Sequence, residues 1–261
     1  MEELALFLIC VIAILAVSLL GAYAPMSFRA TDKQMHLMIA FGSGVFIGIL
    51  FLILMPEAIN ESEAGGFDAM DAMYLILAGF LTMFIVDFLF KQYKRSECDC
   101  EECADYHSHE ITSLSAFVGL SLHSCFDGLA IAAAFLVGET VGFMVLVAMC
   151  LHKAVVVFSL SSTFLLAGKR KKAAVYLTVF CLITPVAALI SYFVLGGFES
   201  DIVGLAFAFS AGVFMFVTML HIIPEAFHRK DINIKSLALL IVGLLIVVGL
   251  VLLMGSEGHI H

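Results

Sequence analysis

The chain has 261 residues, 62% hydrophobic and 13% charged, with a mean hydropathy of +1.10. Soluble domains run at roughly 45–50% apolar and 25% charged, so this composition excludes a soluble enzyme or binding module and predicts one integral membrane domain, 1–261. The formal charge of −9 implies no nucleic-acid partner; only its distribution along the chain is informative.

A membrane-spanning helix needs about 20 mainly apolar residues. Eight segments qualify, at 4–24, 35–56, 73–91, 113–137, 141–166, 173–195, 203–226 and 235–255, which predicts an all-α fold of eight transmembrane helices. The first opens on Glu2 and Glu3 instead of the basic region of a signal peptide, so it is expected to be retained as a span.

Span 2 ends in Pro56–Glu57 and span 7 in Pro224–Glu225. A proline near a span end frees a carbonyl and can break the helix beside a polar pathway. The two regions also match one another. FGSGVFIGILFLILMPEA (41–58) aligns without gaps on FSAGVFMFVTMLHIIPEA (209–226), with eight of eighteen positions identical. Span 2 and span 7 run in opposite directions, so spans 1–3 and 6–8 are predicted to be inverted repeats flanking spans 4 and 5. Such repeats characterise secondary carriers, whose sites lie near the bilayer midplane. Chance similarity between two Gly- and Phe-rich spans is the alternative.

The segment 92–112, KQYKRSECDCEECADYHSHEI, is expected to be a cytoplasmic loop. Cys98, Cys100, Cys103, His107 and His109 give it soft and borderline donors for divalent ions. It lacks the paired CxxC spacing of a structural zinc fold, and a solvated polar loop is the alternative. Cys10, Cys125, Cys150 and Cys181 fall in apolar segments, where a thiol acts as a small hydrophobe.

Span 4 carries LHSCFDGLAIAAAF (122–135). His123 and Asp127 stand at i and i+4, so they share one helix face. An intramembrane Asp costs roughly 2.5–3.5 kcal/mol, and something must offset it. Span 5 places His152 at similar depth. Two imidazoles and a carboxylate suit Zn²⁺ or a similar divalent ion, with one coordination position left open for exchange. The alternative is a hydrogen bond between His123 and Asp127 that glues helices together. Beside His152 lies Lys153, an ammonium at membrane depth that needs a counter-charge. It either takes the place of a second ion or forms a plain salt bridge with Asp127. In span 7, His221, Glu225 and His228 follow i, i+4, i+7 as a polar stripe. The stripe is read as a metal pathway, or else as an interfacial face.

Twelve of the thirteen Lys and Arg residues fall in loops 1–2, 3–4, 5–6 and 7–8, and the opposite loops and the tail hold none. Positive residues accumulate in short cytoplasmic loops, which places those four loops in the cytoplasm and both termini outside it. The thirteenth is Lys153.

HSCFDGLAIAAAF resembles the fourth-span signature of the ZIP (Zrt-, Irt-like protein) family of divalent-metal transporters. LHKAVVVFSL is similar to the fifth-span signature of the branch with His-Lys where others have His-Glu. The eight spans, outside termini, His-bearing segment between spans 3 and 4 and PEA endings agree. The resemblance implies a 3+2+3 helix arrangement, a homodimer in the plasma membrane and movement of metal into the cytoplasm, with zinc or another divalent cation as substrate and no catalytic cofactor. Carried over by position, His123, Asp127 and His152 match the metal ligands, while Ser124 and Lys153 match positions that help hold a second ion in binuclear members. Glu57 joins the expected pathway through its PEA ending. Two other classes stay open. An integral-membrane zinc hydrolase would also use His and Asp ligands, although the chain has no HExxH motif to supply its base. A metal sensor that transports nothing is the other.

Overall fold

A computed structural model describes residues 2–27, 31–95, 101–137, 139–166, 170–195, 203–228 and 233–257. Among them there is no strand, and eight helices are long and apolar enough to cross a membrane. The protein is a multi-pass all-α membrane protein, as the hydropathy pattern predicts.

Span 1 is α1 (Glu2–Ser27), and span 2 is α2 (Asp32–Ile49) running through a π-helical turn, Leu50–Leu54, into α3 (Met55–Ala64). Spans 3 to 6 are α4 (Ala69–Arg95), α5 (Glu101–Val137), α6 (Glu139–Leu166) and α7 (Arg170–Leu195). Span 7 is α8 (Val203–Val217), a second π-helical turn, Thr218–Ile222, and α9 (Ile223–Ala226); span 8 is α10 (Asn233–Glu257). α2 begins at a capping box, in which the Thr31 side chain accepts from the Gln34 amide and the Thr31 amide donates to Gln34 Oε1. Two donors of the first turn are thereby satisfied.

Two expectations are corrected. The segment 92–112 is not a loop in its described part. α4 continues to Arg95 and α5 begins at Glu101. Nor does Pro56 break span 2, because α3 carries the helix on to Ala64. The reason is the π turn that precedes it. Met55 donates to Leu50 O, five residues back, and that widened turn accommodates a ring that lacks an N–H and clashes with the carbonyl four residues earlier. Ile223 donates to Thr218 O ahead of Pro224 in the same way. The two π turns fall at corresponding positions of the 41–58 and 209–226 alignment.

Packing follows the same correspondence. α2 packs on α10 and α8 on α4; α1 packs on α6 and α5 on α7. A Cβ on Gly44 of α2 would overlap the Leu240 carbonyl of α10, and one on Gly212 of α8 would overlap the Ile76 carbonyl of α4. Gly243 and Gly79 repeat the crossing from the other side, against the carbonyls of Phe41 and Phe209. Small residues let backbones approach where no water drives helices together. The aligned pair Phe46 and Phe214 meet at a centroid distance of 5.2 Å. A side chain at Gly212 has no room to relax into. Gly212→Val should destabilise the protein by about 1–3 kcal/mol as an overpacked contact, which in a thermal scan of detergent-solubilised protein lowers the midpoint by roughly 2–12 °C.

Span 8 is peripheral and largely exposed, whereas span 7 is central and mostly buried. The outward faces of α4 and α10 carry Leu77, Phe84, Phe88, Leu245 and Leu252, as a lipid solvent requires. Several buried hydroxyls are silenced within their own helix. Ser18, Ser43, Ser62 and Ser162 each donate to the carbonyl four residues back, a local bond that leaves no polar group facing lipid.

Candidate metal centre

Three ligand-bearing side chains converge where α5 and α6 pack together. His123 and Asp127 come from one face of α5, as their spacing predicts, and His152 from α6. Candidate donor atoms on the three lie within 4.8 Å of one another, the one such group of three or more His, Cys, Asp or Glu among the described residues. His123 Nε2 stands 3.3 Å from Asp127 Oδ1 and 3.4 Å from His152 Nε2. Zinc–nitrogen and zinc–oxygen bonds of about 2.0–2.2 Å set tetrahedral donors roughly 3.3–3.5 Å apart, so both distances match edges of such a site. An imidazole nitrogen carries one hydrogen or one lone pair, and so cannot donate to the acid and accept from the other ring at once. A cation between the three donors satisfies them together. Phe214 lies against both rings, with centroids 4.6 Å from His123 and 5.7 Å from His152.

Lys153 completes the cluster. Its ammonium donates to Ser124 Oγ at 2.6 Å and to Asp127 Oδ2 at 3.1 Å, and it lies 4.9 Å from the centre of the Phe180 ring. The carboxylate is therefore shared: Oδ1 faces the imidazoles and Oδ2 holds the ammonium. Of the two readings of Lys153, the structure contains the salt bridge with Asp127. Thr184 of α7 donates to the Ser124 carbonyl at 3.1 Å and ties this turn of α5 to a third helix.

The pathway residues do not join this centre as one group. Glu57 is exposed on α3. His221 is buried in the second π turn, and its Nε2 lies 3.2 Å from Asp87 Oδ1 of α4, whose Oδ2 accepts from Lys91 at 2.7 Å. Glu225 is buried and accepts through its backbone carbonyl a bond of 2.8 Å with His36 Nδ1, while the His36 and His228 rings stack at 6.2 Å. Cys98 and Cys100 lie outside the described residues; Cys103, His107 and His109 fall on the first turns of α5, where only the backbone is described.

Asp87, His36 and Ser210 touch candidate site residues and were not singled out from the sequence. Asp87 in FLTMFIVDFLF had a signal, an acid inside an apolar span, and His36 had a weaker one. Ser210 had none: its Oγ bonds His123 Nδ1 at 2.6 Å, and nothing in a lone serine announces such a partner. An apolar groove of about 620 Å³ runs between spans 1, 2, 5 and 8, along Gly21, Gly42, Ala154 and Phe158. Gln34 is its most polar lining residue, so it offers a cation no donor set and is set aside as a metal route.

Residues 4–110 and 95–251 match the family model described as ZIP Zinc transporter. Zinc transporter ZIP9-A of Xenopus laevis is 29% identical over 93% of this chain and 95% of its own length. Zinc transporter ZIP9 of Micropogonias undulatus is 29% identical over 82% and 84%. Zinc transporter ZIP2 of Homo sapiens is 25% identical over 83% and 87%.

Proposed function

Because the chain belongs to the ZIP zinc transporter family, we propose that it carries a divalent metal ion, zinc first, into the cytoplasm through a site formed by His123, Asp127 and His152. The family is one of transporters, and the hydrolase alternative finds no support in it. The observation that carries the reading is the buried His-Asp-His group with two donor separations of a tetrahedral ion. Its open coordination position suits an ion that must leave again.

The ion then moves toward the side where the basic loops lie. Asp87 and His221 repeat the central pattern, with an acid between an imidazole and an ammonium, and Lys91 is 55% exposed against 8% for Asp87. The pair therefore leads from the interior to the surface, and His36, Glu225 and His228 continue it. Glu57, exposed at the other end of its span, faces the ion on entry. The matched glycine crossings support inverted repeats of spans 1–3 and 6–8 around spans 4 and 5, in a 3+2+3 arrangement within a single domain, 1–261. A homodimer in the plasma membrane and a regulatory, metal-binding role for Cys98, Cys100, Cys103, His107 and His109 complete the proposal.

Reconstitution into proteoliposomes tests it. Radiolabelled Zn²⁺ should enter with saturation, in competition with Cd²⁺, Fe²⁺ or Mn²⁺; liposomes that accumulate none of the four above protein-free controls refute transport. Direction is read separately in sealed cells. Gly66→Cys and Ser200→Cys should react with an impermeant thiol reagent from outside, and Lys171→Cys should not. Labelling of Lys171→Cys alone would reverse the orientation and the direction of transport with it.

A further inference from the structure

We propose that Ser210 is a positioning residue that selects the metal-binding tautomer of His123. The proposal rests on the reading of His123 as a ligand. To coordinate through Nε2, a neutral imidazole must carry its proton on Nδ1. That N–H lies inside the membrane, where an unmet donor is costly. Ser210 Oγ sits 2.6 Å from Nδ1, and both residues are 1% exposed. In the metal-binding tautomer the serine accepts the Nδ1 proton, and the Nε2 lone pair faces His152 and Asp127. Imidazole ligands to metals are held through their other nitrogen in this way, which fixes the tautomer and the ring plane.

Two features set Ser210 apart from a serine that merely fills space. The buried serines Ser18, Ser43, Ser62 and Ser162 bond their own helix, and Ser113 and Ser161 cross to backbone carbonyls of a neighbouring helix, whereas the Ser210 hydroxyl crosses from α8 to α5 and meets an imidazole nitrogen. In the aligned repeat its position is held by Gly42, against which the Ser159 hydroxyl packs, and no ligand histidine stands there. The hydroxyl is present in the copy that faces the imidazole. Without it, the ring gains by moving its proton to Nε2, where Asp127 Oδ1 accepts at 3.3 Å. That tautomer has no lone pair for the ion, and metal binding must first reverse it.

Purified protein carrying ring-¹⁵N histidine tests the proposal, with Zn²⁺ affinity by calorimetry and His123 assigned by its loss in His123→Ala. The parent loaded with Zn²⁺ should show His123 protonated at Nδ1 and metal-bound at Nε2. Ser210→Ala should bind Zn²⁺ about 10–100-fold more weakly, with its metal-free ring shifted to the Nε2–H form, and Ser210→Thr should restore both. Coordination of the parent ring through Nδ1 would overturn the proposal, as would a Ser210→Ala protein with parental affinity and tautomer. If His123→Ala itself keeps parental affinity, the ligand assignment fails first, which separates that failure from one of Ser210 alone.

Discussion

His123→Ala and Asp127→Asn should each reduce metal uptake by about 100-fold or more at unchanged surface expression. Removing the groups that merely orient a ligand already costs roughly 10–100-fold in affinity, and these two supply the donor atoms themselves. Asn is chosen at 127 because its amide oxygen keeps a hydrogen-bond acceptor for the Lys153 ammonium, which Ala would leave with Ser124 alone. His152→Ala should follow, its Nε2 being the donor on α6. Joint replacement of Cys98, Cys100, Cys103, His107 and His109 should leave substantial transport, with altered regulation or apparent affinity. Uptake normalised to surface-labelled protein decides the matter. A dead multiple mutant beside active His123→Ala and Asp127→Asn proteins would place the transport site in the wrong part of the chain.

Lys153→Glu should convert a one-ion centre into a two-ion centre. In the parent the Lys153 ammonium holds Asp127 Oδ2 and Ser124 Oγ, the place a second divalent ion would occupy. A carboxylate there stands near Asp127, and of two carboxylates at one site one takes up a proton unless a cation intervenes. The variant should therefore bind two ions per chain, more tightly and with slower release, and should need metal to stay folded. Lys153→Met supplies the comparison: it removes the counter-ion of Asp127 without adding a ligand, so it should lose stability and still bind one ion. Metal content by mass spectrometry on monodisperse protein reads the result. One ion per chain in a well-folded Lys153→Glu protein, or none in the parent, would show that the ammonium is a structural counter-ion and nothing more.

The offset of Asp127's burial is also clearer than the sequence allowed. An acid within a span calls for either a metal or a cation from the protein, and periodicity on α5 cannot choose. The structure supplies the ammonium at one oxygen and leaves the other facing the imidazoles.

The eight spans, their apolar character and the shared face of His123 and Asp127 were legible in the sequence alone. Each rests on a property of one segment: the length needed to cross hydrocarbon, or the 3.6-residue period that stacks i on i+4. The correspondence of 41–58 with 209–226 was legible too, because both copies kept the same residues at the same intervals. What only the tertiary structure decided lies between segments. No pattern on span 7 says that Ser210 meets His123, that Asp87 of α4 meets His221, or that Lys153 reaches Ser124 and Asp127 across the α5–α6 contact; these pairings depend on helix rotation and depth, which are set by where glycines let backbones touch. The prolines show the same limit. Pro56 reads locally as a helix end, yet a π turn of five residues before it carries the helix on to Ala64, since in a bilayer the backbone must keep its hydrogen bonds within the span and a widened turn does so where a break would not.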